Sequence, residues 1–114
     1  MPYRKKNFYL GIDLGSTNSL MTWGKVDFRT KEVEPRIVPM MMYSPLKGTV
    51  KKELLPSFVY FGKNASPVAG EYAKAMMCEQ PERVVKSVKK YMGTNRTFNF
   101  DGREWTPEEI SALL

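Results

Sequence analysis

The sequence contains no histidine and a single cysteine, Cys78. The first absence excludes a His-ligated metal site and any Ser–His or Cys–His catalytic pair among these residues. The second excludes an intramolecular disulfide, and with it the cross-linked framework of small secreted domains. No apolar run approaches the ~20 residues that a membrane helix needs. Met1 to Lys6 is basic and leads into an apolar stretch, but Gly11 and Asp13 interrupt that stretch too soon for it to read as a secretory leader. Asn64-Ala65-Ser66 and Asn95-Arg96-Thr97 match glycosylation acceptors, which carry no meaning in the cytoplasmic protein expected here. Internal repeats and low-complexity tracts are missing as well.

What is present suits one modest domain: 114 residues, 42% hydrophobic and 26% charged. Lys and Arg outnumber Asp and Glu by 18 to 12, a net charge of +6. That balance favours anionic partners such as nucleotides, nucleic acids or lipid surfaces, without choosing among them. Lys5-Lys6, Lys51-Lys52 and Lys89-Lys90 are scattered pairs rather than one stripe, and read as solvated surface. The methionines, including Met40-Met41-Met42 and Met76-Met77, read as adaptable fillers, and Trp23 and Trp105 as core anchors.

The most informative stretch is Gly11-Ile12-Asp13-Leu14-Gly15-Ser16-Thr17-Asn18-Ser19, directly after Phe8-Tyr9-Leu10. A buried strand, Phe8 to Leu14, delivers the Asp13 carboxylate and turns at Gly15; a second strand follows from Ser19 to about Val26. A turn of this composition aims backbone N–H groups and hydroxyls at a phosphate, with a carboxylate nearby for a hydrated cation. It lacks the Lys of the Walker loop and the three glycines of the dinucleotide fingerprint. The same residue types also suit an ordinary hairpin turn, and an Asp at a strand end also caps turns. A carboxylate inside Leu10-Gly11-Ile12-Asp13-Leu14 is, however, costly to bury without a partner.

Further along, Arg36-Ile37-Val38 reads as a strand that Pro35 and Pro39 keep short or at an edge. Tyr43 to Leu55, with Pro45, Gly48 and a charge cluster, reads as a loop. Phe58 to Phe61 is a strand, Gly62-Lys63-Asn64 a turn, Pro67 to Ala69 a short returning strand and Gly70 to Met77 helix-forming. Pro81 opens a helix that Gly93 stops, with Glu82 and Lys89-Lys90 matching its dipole. On that helix Val84, Val85, Val88, Tyr91 and Met92 form one apolar stripe. Lys89 lies just beyond the Val85 edge, able to lean along the protein toward a cleft; a lysine there also simply snorkels and complements the helix dipole. Phe98 to Trp105 is a hairpin around Asp101-Gly102. Thr106, Pro107 and Glu109 then start a helix with a capping box. The chain stops ~2 turns later, short of the ~10–14 residues typical of helices, so a piece of a longer protein is expected.

The opening stretch resembles the first phosphate motif of the actin-like ATPases. More narrowly, it is similar to that of the DnaK-type chaperones, the heat shock protein 70 family, whose pattern is Gly-Ile-Asp-Leu-Gly-Thr-Thr-Asn-Ser; Ser16 replaces the first Thr and keeps the hydroxyl. Leu55 to Val59, Val88 to Gly93 and Thr106 to Ser111 resemble, in order, the family's Thr-Pro-Ser strand entry, Ala-Lys-Arg-Leu-Ile-Gly helix end and Pro-Glu-Glu-Ile-Ser helix start. Residues 40 to 55 do not follow the family closely, and Lys90 and Thr94 stand where it usually has basic residues of other kinds.

The resemblance implies an α/β (mixed α+β) fragment of an actin-like, ribonuclease-H-like ATPase domain, first lobe. A single partial domain is expected over residues 1–114: a phosphate-loop hairpin at 8–30, a small mixed subdomain at 31–105 and the start of a helix at 106–114. It implies that Asp13 binds water around a Mg²⁺, that Gly15, Ser16, Thr17 and Asn18 contact the phosphates of ATP or ADP, and that Lys89 sits near the γ-phosphate to position attacking water. In the full-length protein ATP hydrolysis would drive protein folding, with client polypeptides and co-chaperones as partners; the fragment alone is expected to be inactive. Its open strand edge makes a homodimer of the fragment an expectation too. The alternatives are a small basic nucleic-acid-binding module, or a fragment of another actin-like ATPase or sugar kinase. The DnaK-type reading expects neither nucleic acid nor membrane as a partner.

Overall fold

The structure, a computed structural model, describes residues 8–27 and 29–114; the Lys5-Lys6 pair lies outside them. Among the described residues, short strands outnumber helices, a mixed α+β architecture, and no helix is long and apolar enough to cross a membrane.

Alternating apolar residues and a small-residue turn make the first two strands a hairpin. β1 (Phe8–Asp13) pairs antiparallel with β2 (Asn18–Asp27), from Phe8 opposite Lys25 to Asp13 opposite Leu20. β3 (Glu32–Ile37) flanks the other side of β2, with Pro35 opposite Gly24. Proline cannot donate to a ladder, so β3 is an edge, as Pro35 within it and Pro39 just beyond it predict. The expected burial of β1 is not found: Phe8, Leu10 and Ile12 project from one face and are 59%, 62% and 71% exposed. Trp23, directly across from Leu10, is exposed too, beside Phe8 and the Arg36 guanidinium, so it is not the core anchor expected.

Residues 43–55 are not the loop expected. β4 (Met40–Ser44) and β5 (Gly48–Lys52) form a regular hairpin. Pro45 and Gly48 punctuate only its tight connection, where Lys47 donates to the Ser44 carbonyl and Gly48 takes a positive φ of 72°. β4 packs on α1 (Glu71–Met76), and Met42, Leu55, Ala73 and Met76 are buried in that region.

The extended segment from Leu55 to Tyr60 changes partner midway. β6 (Leu55–Pro56) pairs with the start of β2; β7 (Phe58–Tyr60) lies between β8 (Val68–Ala69) and β9 (Val84–Lys86). β9 stands in the middle of the segment expected as a helix after Pro81. Only a single turn, Pro81–Arg83, precedes it, and another, Val88–Tyr91, follows. β7 needs a second partner, and the β-branched pair Val84-Val85 supplies it. The ladder extends at both ends, from Phe61 N–H to the Arg83 carbonyl (2.8 Å) and from Ser87 N–H to the Ser57 carbonyl (3.2 Å). Ser87, at a left-handed φ of 55°, then bends the chain out of the strand.

Two local expectations hold to the residue. β10 (Phe98–Phe100) and β11 (Arg103–Trp105) meet at Asp101-Gly102, both with positive φ as a type I′ turn demands. α2 (Pro107–Ser111) begins with a complete capping box between Thr106 and Glu109. Hydrogen bonds from Thr106 hold the Glu109 carboxyl below its ordinary range, and the Gly93 N–H does the same for Glu108, so α2 is also tied to the turn after Val88–Tyr91. The Arg83 guanidinium grips both oxygens of Asp101, lowering its carboxyl and fastening the β10–β11 turn to the strand layer. The core lies between these pieces: Val59, Phe61, Val85, Val88 and Ile110, with Phe100 stacked on Phe61 at 4.2 Å and Trp105 tilted against it.

Candidate phosphate-binding turn

Five of the six predicted site residues fall on one turn. Asp13 ends β1, Asn18 begins β2, and Gly15, Ser16 and Thr17 lie between. Gly15 is required there by close approach: a Cβ on it would run into the Asn18 carbonyl oxygen. Asp13, Ser16, Thr17 and Asn18 are exposed, and Asp13 forms no ion pair among the described residues. The cost of burying a carboxylate is therefore not what singles out Asp13; it stands open to solvent beside the turn.

The turn is fastened from beneath by a residue that sequence reasoning left without a role. Ser57 is 2% exposed, and its hydroxyl donates to the Gly15 carbonyl at 2.8 Å. The same hydroxyl lies 2.9 Å from that of Ser19, the other buried serine. The Ser57 N–H donates to the Thr17 carbonyl at 2.8 Å. These bonds occupy carbonyls on the inner side of the turn, leaving the exposed residues 16–18 free to meet a ligand. A signal was present in the sequence: one serine interrupts Leu54-Leu55-Pro56-Ser57-Phe58-Val59, and a hydroxyl within an apolar run must find a partner when buried.

Two clefts border the turn. Asn18 lines a polar one of about 390 Å³ with Lys52, Lys74 and Glu71, where Lys52 pairs with Glu71 at 2.9 Å. Leu14 and Ser19 line an apolar one of about 250 Å³ with Ile12, Met21, Met40 and Leu114.

Lys89, the sixth residue, sits apart from the turn in sequence and on a different element. It lies exposed in the single turn Val88–Tyr91, so the helical stripe that singled it out does not exist. Val85 and Val88 of that stripe are buried as expected, but through a strand and a turn. A short hydrogen-bonded route still joins the two regions. Ser57 bonds Thr17 on one side and Ser87, two residues before Lys89, on the other. Among the described residues no group of three or more acidic or cysteine side chains is placed to cage a metal. One carboxylate with hydroxyls and N–H groups nearby is a donor set suited to a cation that keeps its water shell.

Residues 9–113 match the Hsp70 protein family. The chaperone protein DnaK of Thermotoga neapolitana is 42% identical over 110 residues, covering 96% of this chain and 16% of that protein. The DnaK of Thermotoga maritima is equally similar, and that of Thermosipho africanus is 37% identical over the same share. The chain thus spans 16% of the length of the curated relatives it matches.

Proposed function

This chain belongs to the Hsp70 family, and we propose that it is the N-terminal part of the ATP-binding domain of a DnaK-type chaperone, with the Asp13–Asn18 turn as its phosphate grip. The observation that carries the proposal is the turn itself, held open by Ser57 with its hydroxyl residues and Asp13 exposed. The backbone N–H groups of residues 15–18 and the Ser16 and Thr17 hydroxyls hold the phosphates of ATP or ADP. Asp13 holds water on the Mg²⁺ that accompanies them, and the ion supplies charge neutralisation at the phosphates. Lys89 faces the γ-phosphate end and orients attacking water. The fold is the first lobe of an actin-like domain, in which 8–30, 31–105 and 106–114 are the hairpin, a small mixed subdomain and the start of a longer helix. The parent protein works in the cytoplasm on client polypeptides with co-chaperones, coupling ATP hydrolysis to their folding.

A 114-residue chain supplies one side of such a pocket. We expect Mg-ATP to shift the amide resonances of residues 15–18 with weak, roughly millimolar affinity, about −4 kcal/mol of binding, and no ATP turnover. Asp13→Asn is expected to remove the difference between ATP with and without Mg²⁺. Turnover by this chain that depends on Asp13, or resonances at 15–18 that ignore Mg-ATP, overturns the proposal.

The fragment also pairs with a second copy of itself. β1 is an edge with no proline or lysine to blunt it, unlike β3 with Pro35. Two antiparallel β1 strands centred on Leu10 set Leu10 against Leu10 and Phe8 against Ile12, apolar pairs worth roughly 0.2–1 kcal/mol each. Sedimentation should give a concentration-dependent dimer that Leu10→Lys abolishes; a monomer at every concentration excludes the pairing.

A further inference from the structure

We propose that Ser57 is the positioning residue that sets the phosphate turn and the Lys89 segment at a fixed spacing. The inference rests on the reading of both as parts of one nucleotide site. Ser57 touches neither nucleotide nor Lys89; it acts through what it holds. Its hydroxyl donates to the Gly15 carbonyl at 2.8 Å and contacts the Ser19 hydroxyl at 2.9 Å. Its N–H donates to the Thr17 carbonyl at 2.8 Å, and its carbonyl accepts from Ser87 N–H at 3.2 Å. One residue, 2% exposed, therefore joins three separate pieces of chain.

The register explains why this falls on residue 57. β6 pairs Pro56 with Asn18, so the next step sets Ser57 beside Thr17. β7 pairs Phe58 with Lys86, so the preceding step sets Ser57 beside Ser87. Ser57 is the point where the strand leaves one sheet and joins the other. A residue there with no hydroxyl releases Gly15; the backbone at 57 is then held less firmly, and its bonds to Thr17 and Ser87 loosen together. Ser87 makes the second connection rigid: its left-handed φ of 55° fixes where the Val88–Tyr91 turn departs, and Val88, 2% exposed, anchors that turn in the core. Lys89 follows directly.

The test is amide hydrogen exchange on the 114-residue chain without nucleotide, in wild type, Ser57→Ala, Ser57→Thr and Ser19→Ala. Ser57→Ala should raise exchange at the residue 57 amide, which donates to Thr17, and at the 87 and 90 amides together by about tenfold, the size expected for losing one buried hydrogen bond, while Asn99 to Glu104 stay unchanged. Ser57→Thr, which keeps the hydroxyl, should restore both regions. Ser19→Ala, which leaves the Gly15 bond intact, should leave the 57, 87 and 90 amides close to wild type. Exchange that rises at the residue 57 amide alone in Ser57→Ala, or equally everywhere, overturns the inference. Addition of Mg-ATP to wild type separates the underlying reading: silent amides at 15–18 overturn the nucleotide site, while the exchange pattern still decides whether Ser57 couples the two segments.

Discussion

Replacing Ile110 by alanine is expected to abolish cooperative folding of the layer that holds Lys89. Ile110 is fully buried among Val59, Phe61, Val85 and Val88. Truncations of this kind cost about 2–5 kcal/mol, the lost transfer term plus the cavity left behind. Whole domains have only about 5–15 kcal/mol in hand, and a small chain sits at the lower end. The effect is amplified by the helix it sits on. α2 has five residues, far too few to persist without tertiary support. Its capping box orders the first turn, but Ile110 is the side chain that seats it against Val88. Urea unfolding followed by tryptophan fluorescence checks this, because Trp105 packs against the same core. Ile110→Val should cost about 0.5–1.5 kcal/mol, and Leu113→Ala, at a 36% exposed position, should be close to neutral. An Ile110→Ala transition within about 0.5 kcal/mol of the Ile110→Val one would mean that α2 is not docked as described.

What the sequence made legible follows the range of the forces involved. The Asp101-Gly102 turn and the Thr106–Glu109 capping box are decided by a few neighbouring atoms, and they appear where local chemistry places them. The β1–β2 hairpin was equally visible, because alternation and a Gly-Ser-Thr-Asn turn are short-range signals. The segment after Pro81 was not. Its helical signals, a leading proline, favourable charges and a terminal glycine, contribute only tenths to about 1 kcal/mol each. A strand that completes the β7 ladder and buries Val85 outweighs them. The helical stripe beside Lys89 is absent with it, although its place two residues after Ser87 gives Lys89 a different tie to the turn. In the β4–β5 hairpin, Pro45 and Gly48 read as part of a long loop but mark one tight connection. In the sequence Ser57 stands out only as part of a strand entry. Its role depends on meeting Gly15 and Thr17, some forty positions away, and no local pattern reports such a meeting.

Gly15→Ala is expected to eliminate the response to Mg-ATP while leaving the Ile110 core folded. The added methyl would enter the Asn18 carbonyl oxygen, which is backbone and cannot rotate aside. The turn must open, and opening it pulls the Gly15 carbonyl from the Ser57 hydroxyl. An anion held by several backbone N–H groups depends on their convergence, so a shift of about 1 Å can cost 100-fold or more. The fold should lose much less, about 1–2 kcal/mol, because neither Gly15 nor its bond partner belongs to the cluster around Ile110. Ser16→Ala provides the contrast. Ser16 is exposed and its backbone N–H is retained, so its affinity should fall only several-fold, as for one lost hydrogen bond of about 1 kcal/mol. Amide spectra with increasing Mg-ATP, with a urea transition for each variant, measure both quantities on the same samples. If Gly15→Ala titrates like wild type, the phosphates are not held by the backbone of this turn. If it unfolds at the first addition of urea, the turn is part of the core rather than a site resting on it.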